Sequence, residues 1–217
     1  EVHHMQCVVD NSKILIVSAW TGNCCHESNL ENVLVYDTVT KTWENKTGLP
    51  EERRRGGAAA VLYGRAVYVV GGNRGGHGTH SQSLRWFDKY NIDTDTWTVK
   101  LPDAPNVRDH TGGGIVDNNK LCVAGGRDSG AVNYHNKPVL PTDCFNFQAQ
   151  AWETYADIPH GRAGSAYGTT CDGRLIVAGG EGYGQAWDHV NVFDGTSWST
   201  WPSLGVARHG TGVAVNE

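Results

Sequence analysis

The sequence predicts an all-β chain folded as a β-propeller, and three observations carry that prediction. The string AVYVVGG at 66–72 returns as KLCVAGG at 120–126 and as RLIVAGG at 174–180, so Gly71, Gly125 and Gly179 recur at a spacing of 54 residues. A degenerate copy, KILIVSA at 13–19, precedes them with Ser18 and Ala19 in place of the glycine pair. Downstream of each copy stands an aromatic–polar pair (Tyr36-Asp37, Tyr90-Asn91, Phe147-Gln148, Phe193-Asp194), followed by Trp43, Trp97, Trp152 and Trp198. The composition agrees: 28 Gly, 8 Trp and 8 Tyr beside one Met suit short strands and tight turns rather than helices.

Each period contains four short runs of strand-forming residues separated by Gly, Asn, Asp and Pro turns. In the second period the strands are expected at 57–62, 66–71, 84–88 and 96–100. A sheet this small cannot bury both faces alone, so successive sheets must stack around an axis. The Trp supplies an apolar plug between neighbours, and the glycine pair admits backbone where no side chain fits. Four complete four-stranded blades are expected at about 1–50, 51–104, 105–159 and 160–204, with 205–217 opening another whose inner strand is 210–215.

These landmarks, in this order, resemble the kelch repeat: an apolar strand ending in two glycines, a Tyr-Asp strand and a Trp strand. The resemblance spans essentially the whole chain. It implies a ring of six or seven blades, and hence additional blades beyond residue 217.

A net charge of −5 with 18 Lys and Arg provides no basic field for phosphate backbones, so nucleic acid is excluded as a partner. No run approaches the roughly 20 apolar residues of a bilayer span, so membrane insertion is not expected. Glu1 opens without a charged-then-apolar leader, and a processed or truncated soluble chain is expected. The acceptor sequence Asn45-Lys46-Thr47 and a charged fraction of 19% point to an extracellular or cell-surface location with Asn45 glycosylated. Six cysteines are too sparse for a disulfide-built scaffold. Cys122 and Cys144 fall on adjacent strands, where a bridge is geometrically feasible, although burial as small apolar residues is the favoured reading of Cys7 and Cys122. Adjacent Cys24 and Cys25 either pair with separate partners or stay free.

Strand alternation brings two loop sets to one rim, the segments before the inner strands and those after the glycine pairs. Together they make up roughly two fifths of the chain. They nevertheless hold nine of the ten histidines: His3, His4, His26, His77, His80, His110, His135, His160 and His209, with His189 outside. Arg108, Arg162 and Arg208 occupy matching places before three inner strands. In the first period Arg53 fits the spacing from Pro50 and Arg54 fits the 54-residue period; Arg54 is taken as the candidate. Rotation would turn these into a ring of guanidinium groups interleaved with His110 and His209, joined from the second loop set by His77, Arg127, Asp128 and Glu181.

Such a rim suits an anionic glycan or acidic peptide, because Arg offers a planar fork matched to carboxylate oxygens. It is also similar to kelch adaptors whose inner-rim arginines bind acidic motifs. The competing structural reading is that each Arg pairs with Asp109, Asp128 or Glu181 and holds blades together. The leading expectation is therefore a binding module without a cofactor, its partner a protein or glycan. Resemblance to kelch-propeller copper oxidases rests on Tyr134-His135 alone and would make copper the cofactor. Resemblance to sugar-acid isomerases would give a His or Glu181 an acid–base role. A third alternative is a structural module of an extracellular assembly.

Overall fold

A computed structural model describes residues 1–23, 26–78 and 80–215, with Asn136 described by its backbone alone. Cys24 and Cys25 lie outside the described residues. Four antiparallel four-stranded sheets follow one another along the chain. From inner to outer strand, the first is Val8–Asp10, Lys13–Ile16, Val33–Asp37 and Thr42–Lys46. The second is Ala59–Tyr63, Ala66–Val70, Phe87–Asn91 and Thr96–Leu101. The third is Gly112–Val116, Lys120–Ala124, Thr142–Asn146 and Ala151–Tyr155. The fourth is Ala166–Thr169, Leu175–Ala178, Val190–Phe193 and Trp198–Trp201.

Period-two alternation places the core between blades rather than within them. Val67 and Val69 face the first blade, packing with Val8, Leu15, Val17, Val33 and Val35. From the opposite face of the same strand, Val70 joins Phe87, Leu121, Val123 and Phe145 against the third blade. Cys122 and Cys144, directly opposite in the register, are joined as a disulfide inside the third blade. The bridge therefore adds to the burial expected of Cys122, whereas Cys7, expected to be buried, is exposed.

The outer-strand tryptophans reach back one blade. Trp97 Nε1 donates to Thr47 O at 2.8 Å, Trp152 Nε1 to Pro102 O at 2.7 Å and Trp198 Nε1 to Ala156 O at 3.1 Å. Trp43, on the first of the four sheets, is 60% exposed.

In the second blade the third strand runs three residues later than the sequence suggests. Leu84 is withheld from the sheet because its N–H donates to Gly72 O and its carbonyl accepts from Arg108 N, which ties it to the glycine turn and the next blade. Residues 210–215, expected as an inner strand, form no strand pairing among the described residues; Val213 lies against Gly168 of the fourth blade.

The glycine pairs are where blades dock. Gly71, Gly125 and Gly179 have φ of +68°, +64° and +63°. A Cβ on them would come within 2.6, 2.7 and 2.5 Å of the carbonyl oxygens of Arg108, Arg162 and Arg208. Those same carbonyls accept from the N–H of Gly72, Gly126 and Gly180. In the degenerate first copy the Ser18 hydroxyl takes over, donating to Arg55 O at 2.7 Å.

Candidate functional site at the propeller mouth

The docking pattern corrects the assignment of the arginines. Arg55, not Arg54, is the equivalent of Arg108 and Arg162, since its carbonyl docks on the preceding blade and its Nε donates to Gly71 O at 2.6 Å. All three side chains are completely buried. Arg108 uses its terminal nitrogens on Gly125 O, Pro141 O and the Asp143 carboxylate, and Arg162 donates to the carbonyls of Gly179, His160 and Val177. Arg53 and Arg55 share the buried Asp88. A guanidinium suits this place because five donors in one plane satisfy the carbonyls that a sheet end leaves orphaned. Arg108 and Arg162 therefore do not face a ligand, and the carboxylate that pairs with Arg108 is Asp143 rather than Asp109, Asp128 or Glu181. Arg54 is half-buried and donates to Leu49 O at 3.0 Å. Arg208 stays exposed, bound to Val206 O at 3.2 Å.

The remaining candidates do converge. Two residues after each docking arginine the chain adopts a left-handed conformation: Gly57 (φ +65°), His110 (+49°), Gly164 (+59°) and Gly210 (+64°), with His4 (+53°) at the same place in the first blade. Gly57 N donates to His4 O, Gly164 N to His110 O and Gly210 N to Gly164 O, so these residues line the axis one after another. His77 enters from the turn between the two-residue strands Asn73–Arg74 and Gln82–Ser83. His3 enters on the short ribbon Val2–His3 paired with Trp20–Thr21.

Trp20, fully buried, forms the floor, with ring centroids 4.7, 5.0 and 5.6 Å from those of His4, His77 and His110. Its Nε1 donates to Asn73 O at 3.2 Å. Gly56 leaves it room, since a Cβ there would lie 2.4 Å from the indole ring. Gly56→Ala should accordingly cost about 1–3 kcal/mol by overpacking. Urea midpoints should show this loss, and Gly205→Ala, where a Cβ meets nothing within 4 Å, should leave the midpoint unchanged.

Around this floor the imidazoles are held by carboxylates. His77 Nδ1 lies 2.5 Å from Glu27 Oε1, and its backbone N–H donates to Glu27 Oε2 at 3.0 Å. Burial pushes the Glu27 carboxyl up, but these two bonds bring it below the usual carboxylate range. His110 Nδ1 contacts Asp109, which also accepts from Ser83 and from the N–H and hydroxyl of Ser129. Burial holds His110 below the ordinary imidazole value, and burial together with the neighbouring imidazoles brings His4 down to about 3. His77 Nε2 and His110 Nε2 face each other at 3.2 Å.

Arg127 closes the group, donating to His110 Nε2 at 2.9 Å, Glu181 Oε1 at 2.6 Å and Ser129 Oγ at 3.1 Å. His209 Nδ1 lies 3.6 Å from Glu181 Oε2. The mouth opens on a cavity of about 730 Å³ lined by His77, His110, Arg127, Glu181 and His209 with His3, His4 and Tyr167. An adjoining cavity of about 570 Å³ shares Arg127, Glu181 and His209 and adds Tyr134, His135 and Tyr183. Tyr134 and His135 thus line the second cavity and do not join the imidazole cluster.

A family model described as the Kelch motif matches residues 54–100. The Kelch-like protein terF of Aspergillus terreus (strain NIH 2624 / FGSC A1156) is 32% identical over 191 residues, covering 83% of this chain and 40% of that protein. The chain is a kelch-repeat β-propeller. An F-box/kelch-repeat protein of Arabidopsis thaliana is 32% identical over 150 residues, 67% of this chain and 35% of that protein. The kelch chain thus spans less than half the length of these curated relatives. The solved structure of YjhT superposes with a TM-score of 0.73 at 18% identity, covering 96% of this chain and 67% of that one, which speaks to the fold alone. Kelch repeats serve generally as interaction modules. No helix among the described residues is long and apolar enough to cross a membrane.

Proposed function

We propose that this kelch propeller is a binding module that takes an anionic glycan into its mouth. The observation that carries the reading is the wall of Arg127, Glu181 and His209 shared by two adjoining cavities. A sugar acid needs donors and acceptors side by side. Glu181 and the imidazole nitrogens accept from hydroxyls, His209 and the edge of Arg127 meet the carboxylate, and Tyr134 and Tyr183 offer ring faces to the sugar. An acidic peptide is served less well, because Arg108 and Arg162 are already bound and Arg208 is the exposed cation left of that repeated set. The disulfide and the exposed Asn45 on an outer strand support an extracellular setting.

The test is calorimetric titration with trigalacturonate, with maltotriose and a polyglutamate peptide as comparators. Trigalacturonate should bind and maltotriose should not, and Tyr183→Ala and Glu181→Gln should each weaken binding about tenfold, the worth of roughly one stacked ring or one hydrogen bond to a charged group respectively. Absence of heat with trigalacturonate, or binding indifferent to both variants, overturns the reading. Tighter binding of polyglutamate, lost in Arg208→Ala, replaces the glycan by an acidic peptide. A second, enzymatic reading is favoured by the Glu27–His77 and Asp109–His110 pairs, which have the geometry of general acid–base groups beside that cavity.

A further inference from the structure

We propose that His4, His77 and His110 bind a divalent transition-metal ion at the propeller mouth, with a coordination position left open to the cavity. The proposal does not depend on the glycan reading. One ligand nitrogen from each of the three rings lies within 4.8 Å of the others. Two imidazole nitrogens each about 2.0–2.1 Å from one ion in tetrahedral geometry stand about 3.3 Å apart. His77 Nε2 and His110 Nε2 are 3.2 Å apart.

The second observation concerns protons. His77 and His110 both turn Nδ1 to a carboxylate, Glu27 and Asp109 respectively, and so carry the Nδ1 proton that those oxygens accept. Their Nε2 atoms face each other, that of His110 also accepting from Arg127, and this is the spacing at which two imidazoles hold one cation. Carboxylate, imidazole and an Nε2 turned into the cluster, in sequence, is the arrangement by which proteins orient metal-binding histidines.

Charge points the same way. With neutral imidazoles, the mouth holds three carboxylates (Glu27, Asp109, Glu181) against one guanidinium, Arg127. A divalent ion brings that balance to zero. Arg127 donates to His110 Nε2 and would have to release it, but remains anchored by Glu181 and Ser129.

The third observation is where the ligands sit. The left-handed position is filled by Gly57, Gly164 and Gly210 but by His4 and His110 in the first and third blades. A non-glycine residue is disfavoured there, and such strain is kept at functional sites. Both exceptions are imidazoles, and both turn to His77. Imidazole ligands suit Zn²⁺, Cu²⁺, Ni²⁺ and Fe²⁺ rather than Mg²⁺ or Ca²⁺, and three of them leave room for water or a ligand group.

The experiment strips the chain with chelator and titrates it with Zn²⁺ by calorimetry, with Co²⁺ as the optical probe. One equivalent should bind, with the intense visible bands of low-coordinate Co²⁺ that Mg²⁺ does not displace. His77→Ala and His4→Gly should each abolish the one-equivalent site, and Glu27→Gln should weaken it roughly 10–100-fold. His160→Ala, which breaks a separate imidazole pair with His189, should leave the titration unchanged. Urea midpoints of the metal-free variants confirm folding, and His4→Gly guards against an unfolded His77→Ala. No uptake of Zn²⁺ or Co²⁺, uptake insensitive to both His77→Ala and His4→Gly, or uptake lost in His160→Ala overturns the proposal. In the first case a shared proton, not a metal, joins His77 and His110.

Discussion

Arg108→Ala is expected to lower the free energy of unfolding by about 3–5 kcal/mol, because it strands a buried carboxylate. Asp143 is wholly buried, and without Arg108 its side-chain partners among the described residues are the amide of Asn106 at 3.0 Å and the hydroxyl of Thr154 at 2.9 Å. The substitution also frees the carbonyls of Gly125 and Pro141. Those groups close the seam on which the second and third blades dock, so the loss should appear as a fall in urea midpoint. Arg208→Ala removes an exposed side chain bound to one carbonyl and should stay within about 0.5 kcal/mol of the unaltered chain. Near-equal stabilities for the two variants would mean that Arg108 is not holding the blades.

Trp20→Ala carries the second large effect, about 3–5 kcal/mol from loss of a fully buried indole. Its consequence is different in kind, because the ring supports three imidazoles at once. Loss of the floor lets His4 and His77 turn, so affinity for Zn²⁺ should fall even in conditions where the variant is fully folded. A variant that loses less than about 1 kcal/mol would show that the cavity collapses without cost, against what is seen for most buried aromatic truncations.

What the sequence made legible is what repeats. Glycine pairs, aromatic–polar pairs and tryptophans recur because each blade faces the same docking problem, and the structure gives each its contact: a carbonyl against Gly71, a core position for Tyr90, a bond from Trp97 to Thr47. The repeated arginines belong to that set, and their repetition signalled a shared architectural duty, although equivalence around an axis first suggested a shared ligand. Arg55 was hidden by a run of three arginines from which the docked carbonyl alone selects.

The mouth is built from departures. Trp20 and Glu27 went unnoticed, and Asp109 stood only as a partner for the arginines, because Glu27 and His77 come from loops of different blades, 50 residues apart, and no period relates them. One signal was available. Counting two residues on from each docking arginine gives Gly57, Gly164 and Gly210, with His110 breaking the series and His4 preceding it by the same period. A histidine where the backbone asks for glycine marks a position at which something other than folding sets the residue.

The most direct test of that division is the urea unfolding of the metal-free His4→Gly chain. If the imidazoles serve a ligand and the repeats serve the fold, giving position 4 the glycine of its counterparts should leave the stability within about 1 kcal/mol or raise it, as relief of a left-handed strain predicts. A loss as large as that of Arg108→Ala would place His4 among the supports of the propeller and contradict the account.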